Sequence, residues 1–144
     1  MAITTNAICN SFKKELLEAT HNFSNPGGNS FKLAMYTNSA ALGKSTTSFT
    51  TGGQVSSPSG YTSGGKALVN TGTSLATNTA ITDFADLSFT GVTLTARGAL
   101  IYNDTNGDKA VAVLDFGGEK TASAGTFTIQ FPAFTTSAAI LRIA

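Results

Sequence analysis

The chain has 144 residues, the length of one ordinary domain, and an apolar share of 41% is enough for a core without disulfide or metal staples. Charged residues make up only 12%, about half of the usual ~25%, and Thr, Ser, Gly and Ala stand in their place. The net charge is +1 and the nine Lys and Arg are scattered along the chain, which argues against nucleic-acid binding; a polar but weakly charged surface suits β-strands packed against other subunits.

In chain order, the first 25 residues stand apart. Ile8, Phe12, Leu16, Ala19 and Phe23 recur at helical spacing, with Lys13, Lys14, Glu15 and Glu18 on the other side. This predicts an amphipathic helix of roughly four turns, capped by Thr4, Thr5 or Asn6 and stopped by Asn25-Pro26-Gly27-Gly28. Cys9, the only cysteine, falls on its apolar face as a small buried hydrophobe, and no intrachain disulfide is possible. His21, the only histidine, is placed on the polar flank near the helix end, where it favours the helix dipole. No secretory leader opens the chain and no apolar run approaches ~20 residues, so neither export nor a membrane-spanning helix is expected.

Phe31, Leu33 and Met35 then alternate with Lys32, Ala34 and Tyr36, which is strand periodicity. Residues 38–65 are rich in Thr, Ser and Gly, with Pro58 and few apolar anchors: Leu42, Phe49, Val55 and Tyr61. They read as a long surface excursion, and loops of that length carry function or motion. From Lys66 onward strand follows strand. Lys66 to Asn70 precedes a Thr-Gly turn, and Thr79 to Phe89 follows, with Asp83 facing outward. Val92 to Tyr102 leads into a hairpin at Asn106-Gly107. The return strand, Ala110 to Phe116, is nearly all apolar and should be covered on both faces, with Gly117-Gly118 as its end. Thr126 to Phe131 and Ala139 to Ile143 complete the set. The expected fold is mainly β: a single antiparallel β-sandwich over 30–144, jelly-roll-like, with the helix at 1–25.

Three stretches imitate chemical motifs, and each fails where its chemistry is demanding. Gly60 to Lys66 approaches a phosphate-binding loop, but the hydroxyl that would ligate magnesium is replaced by Ala67. Asp104, Asn106, Asp108 and Asp115 match positions of a calcium loop, but Lys109 sits where the turn needs glycine. Asp115-Phe116-Gly117 spells a kinase triplet without any other part of a kinase. Cys9 and His21, on one helix, would be ~18 Å apart, too far for a nucleophile and base. Asp83 and Asp86 have nothing that selects them as an acid–base pair. The residues describe a protein that is not an enzyme and takes no cofactor or metal.

Several segments resemble small virion structural proteins of tailed bacteriophages. They are Gly60 to Leu68, Thr95 to Asn103, Lys109 to Gly118 and Gly125 to Pro132, with Ser11 to Leu17 and Phe31 to Tyr36. The resemblance implies a place in the virion, assembled in the host cytoplasm. The expected partners are other virion proteins – the major capsid protein or neck and tail proteins – in a homo-oligomer, while scattered charge and the lack of a long apolar run argue against nucleic acid and membrane. The expected role is a capsid decoration or cement protein that stabilises the head shell. The expected contact residues are Ile8, Phe12 and Leu16 on the helix and Phe49, Val55 and Tyr61 in the loop. The competing expectation is a tail or fibre component that meets a host receptor through Tyr102 to Asp108.

Overall fold

The period-two pattern that begins at Phe31 and resumes at Lys66 becomes two antiparallel sheets in a computed structural model, which describes residues 3–56 and 60–144. The chain is mainly β, with 47% strand, 6% helix and one short α-helix. The strands are β1 (Ala7–Ile8), β2 (Phe31–Tyr36), β3 (Lys66–Ala67), β4 (Asn70–Ala76), β5 (Thr79–Phe84), β6 (Leu87–Asn103), β7 (Lys109–Ile129) and β8 (Leu141–Ile143). The helix α1 spans Asn10–Leu17. The first sheet runs β1-β7-β6-β2-β3 and the second β4-β5-β8. Among the described residues, no helix is long and apolar enough to cross a membrane.

The long β6–β7 hairpin is the spine of the first sheet. Its loop is the expected one: Asn103 pairs with Lys109, and Gly107 and Asp108 take left-handed backbone in the turn. Ala110 to Val113 and Gly98 to Asn103 are buried on both faces. Gly117-Gly118 does not end the return strand. Between the pairs Ala96–Lys120 and Gly98–Asp115, Arg97 alone faces residues 116–119. The glycines absorb this bulge, Gly117 at φ +78°, and the strand continues to Ile129.

Two other boundaries differ from expectation for one reason, the move of the chain between sheets. β4 continues through Thr71-Gly72, which makes a bulge with Gly72 at φ +91° and not a turn. The predicted strand from Thr79 to Phe89 breaks at Ala85-Asp86, because β5 belongs to the second sheet and β6 to the first.

Alternation along β2 and β6 sends side chains to two faces. On one, Phe31 stacks on Phe23 at 4.4 Å between ring centroids and meets Phe84 of β5 at 5.9 Å, which ties the second sheet to the first. On the other, the excursion of residues 38–65 packs down. Phe49 stacks on Tyr102 at 4.9 Å, and the Tyr36 hydroxyl donates to the Thr50 carbonyl at 2.6 Å. Tyr61 sits under Phe89, and its hydroxyl accepts from the Met35 N–H at 2.9 Å. The excursion has no strand of its own among the described residues, yet Ala40, Leu42, Val55 and Tyr61 make it part of the core. Pro58 lies outside the described residues.

The N-terminal segment departs most from expectation. Residues 7–8 pair with Ala112 and Val113 of β7, so they are extended, and the helix starts only after Cys9. Asn6 does not cap it: its side-chain oxygen accepts from the Asp115 N–H at 2.6 Å. The helix ends after two turns in a Schellman motif. The Thr20 N–H reaches the Glu15 carbonyl, the Ala19 N–H reaches that of Leu16, and Ala19 stands at φ +59°. Residues 20–24 then carry no regular structure, with His21 and Phe23 buried and Asn22 and Ser24 exposed.

Candidate docking groove

The helical stripe ends up on two kinds of structure that face the second sheet. Ile8 on β1 and Phe12, Leu16 and Leu17 on α1 form one wall of an open groove of ≈ 590 Å³. Ala80 and Ile81 of β5 and Leu141 and Ile143 of β8 form the opposite wall. Phe12, Ile81 and Leu141 are buried and make the floor. The rim is apolar and wet: Leu17 is 91% exposed and Ile143 63%. Surfaces with exposed large apolar side chains gathered around a hollow mark contact sites more than isolated ones do. Lys13 and Arg142 are the charged residues of the lining.

The six residues expected at an interface therefore divide. Ile8, Phe12 and Leu16 meet in this groove. Phe49, Val55 and Tyr61 do not join them. Val55 and Tyr61 are sealed in the chain's own core, Tyr61 at 1% exposure, and Phe49 lies against Tyr102. Val55 and Tyr61 have no surface to offer, and Phe49 keeps only part of its ring exposed, because a segment with few apolar residues spends them on its own packing. Sequence reasoning missed the β5–β8 wall. Ala80 and Ile143 are neighbours through antiparallel pairing, and no local pattern shows that pairing.

Behind the groove lies a buried polar chain that the sequence did not suggest. His21 is not on a polar flank. It is buried between Phe12 and Phe31, with ring centroids at 4.8 and 6.4 Å. Asn103 donates to His21 Nδ1 at 3.0 Å and to the Asn29 side-chain oxygen at 3.0 Å. Its own oxygen accepts from the Thr105 and Asn106 N–H groups at 3.1 Å each, which fixes the orientation of the amide. Nδ1 must then be the acceptor, so Nε2 carries the hydrogen and donates to Glu15 at 2.9 Å. A carboxylate, an imidazole and an amide in a row resemble hydrolytic machinery, but the imidazole is 0% exposed. The row instead fastens α1, the 20–24 segment and the β6–β7 hairpin together. We predict that Asn103→Leu costs on the order of 3 kcal/mol, because it leaves two N–H groups and the imidazole nitrogen unpartnered. Hydrogen exchange should show the Thr105 and Asn106 amides losing protection; unchanged exchange there would refute this role.

The same hairpin bears on the receptor reading. Tyr102 is buried, Asn103 is fully buried, and the Asn106 amide is turned in to the Thr20 carbonyl at 2.6 Å. Tyr102, Asn103 and Asn106 of the expected contact loop are thus committed inside the chain, while Asp104, Thr105 and Gly107 stay exposed. Among the would-be calcium ligands, Asp115 accepts from the Gly117 N–H at 2.9 Å and from Arg97 Nε at 3.1 Å, which holds its carboxyl below the usual range. The glycine-rich loop before Lys66 has a packing role. A Cβ at Gly65 would overlap the Leu33 carbonyl, and the backbone there is left-handed at φ +81°. Lys66 Nζ donates to the Ser88 carbonyl at 2.6 Å. Burial, with Glu15 nearby, pushes the Cys9 thiol up to about 11, so it is an inert core group.

No protein-family model, curated protein or solved structure matches this chain.

Asp83, expected to face outward, is instead buried at the end of β5, with one oxygen accepting from the Phe84 N–H at 2.8 Å. Burial pushes its carboxyl up, and the Phe84 and Ile140 amides offset part of that. The fold therefore holds this proton more tightly than the unfolded chain does. Its contribution to stability declines as pH rises from the unfolded value, ~3.9, through the higher folded one. We predict that Asp83→Asn gains stability relative to the parent between pH 4 and pH 7 in urea titrations. An equal difference at both pH values would show that the carboxyl is not perturbed.

Proposed function

We propose that this chain is a non-enzymatic structural protein of a bacteriophage virion, a capsid decoration or cement protein that docks on the head shell. The observation that carries this reading is the apolar groove between α1 and the second sheet, with Leu17 standing almost free beside it. A groove of this kind gains by being covered, and a lattice that covers it stabilises the bound chain by mass action. The segments that resemble phage virion proteins, and the low charge, support the same reading. So does the burial of Tyr102 and Asn103, which removes the aromatic contact expected of a receptor-binding tail component. In this reading the two sheets are the layers of a β-sandwich, held by Phe31 and Phe84 across the interface, and the chain works as a homo-oligomer on the particle.

The test is the composition of purified particles. Decoration requires hundreds of copies per particle on a denaturing gel, with density over capsid subunits in a cryo-EM map. A stoichiometry of about a dozen or fewer, with density on the tail, would transfer the chain to the tail reading. Absence from particles would end both.

A further inference from the structure

Charge around the groove says what kind of segment covers it. Lys13 stands on the helix wall and Arg142 on the β8 wall. Among the described residues neither takes part in an ion pair; Lys44, Lys66 and Lys120 take part in none either but lie outside the groove lining, whereas Lys14, Lys32, Arg97 and Lys109 each face a carboxylate. Arg142 donates only to the carbonyls of Thr136 and Ser137, at 3.4 and 3.0 Å, which steadies the guanidinium without neutralising it. The acids nearest in sequence to Lys13 are engaged elsewhere. Glu15 holds His21 and Lys109, and Glu18 holds Lys14 at 2.7 Å. Among the described residues, no acidic one lines the groove.

We infer that the groove takes an apolar segment of a partner protein with carboxylates on both sides, one for Lys13 and one for Arg142. This rests on the docking reading above and adds the partner's chemistry. A second copy of this chain fits poorly, since two grooves face to face would set Lys13 and Arg142 against the same pair. An apolar segment without acids would leave both cations beside a desolvated surface with nothing to offset them.

Fluorescein-labelled peptides test it by anisotropy with the full chain: a leucine-valine core flanked by glutamates, the same core flanked by lysines, and a serine core flanked by glutamates. The acid-flanked apolar peptide should bind, and the lysine-flanked one about tenfold more weakly or less. The serine core should not bind. The double variant Lys13→Glu, Arg142→Glu should reverse the preference, and circular dichroism should show it folded, since both side chains are exposed. No binding by any peptide, or equal binding of both apolar peptides, overturns the inference. So does a dimer in sedimentation velocity that Leu17→Glu dissolves, because the occupant is then a second copy. Particle composition fails independently. A chain present on particles but indifferent to flanking charge retires the acidic partner alone, and one absent from particles but selective for the acid-flanked peptide retires only the virion reading.

Discussion

Phe31→Ala is expected to lower the stability of the whole chain by ~3–5 kcal/mol and its melting temperature by about 10 °C. Phe31 is 1% exposed and lies where three parts of the chain meet. Its ring stacks on Phe23, just past the helix, at an interplanar angle of 5°, and it tilts against Phe84 of the second sheet. His21, the centre of the buried polar chain, lies over it on a third side. Removing the ring takes away aromatic contacts and leaves a cavity that stiff neighbours on two sheets cannot close. The alanine variant should still melt in one transition, because all the lost contacts belong to one core. Separate melting of the second sheet would show that Phe31 is not the tie between sheets. A loss under 1 kcal/mol would show that the site collapses without cost.

Leu17→Glu is expected to do the reverse: no measurable change in stability, but loss of docking. The side chain is almost free, so the folded chain has little to lose. At a contact, a glutamate would carry a charge into an apolar surface, a penalty of several kcal/mol if it stays there. In a decoration assay with particles stripped of the chain, the variant should therefore bind at least a hundredfold more weakly, roughly 2.7 kcal/mol. Full occupancy by Leu17→Glu would rule out the groove as the docking surface. Deleting residues 1–25 is a poorer test, since it would also remove the core groups Ile3, Cys9, Phe12 and Phe23.

The strands were legible where their reason is local. The period-two pattern of Phe31 to Tyr36, the apolar run Ala110 to Val113 and the Asn106-Gly107 turn carry their own signals, because pleating and turn chemistry act between near neighbours. The helix was legible only in its middle. Phe12 and Leu16 form the stripe, but Ile8 is extended because Ala112 pairs with it, and Phe23 lies outside the helix, beyond a stop at Ala19. The usual glycine signal of a Schellman ending is absent, so only the hydrogen bonds reveal it.

Half of the groove could be named from the chain alone, as the apolar face of a helix that nothing nearby in sequence covers. Its other half could not. Ile143 and Ala80 lie 63 positions apart and meet by strand pairing. The buried position of His21 depends on Asn103, 82 positions on, whose amide replaces the water a surface imidazole would keep. Composition and periodicity by themselves determined a β-rich chain with an amphipathic helix near its N-terminus. Tertiary structure alone decided which apolar residues closed on the core and which stayed open, because burial is settled by partners distant in sequence.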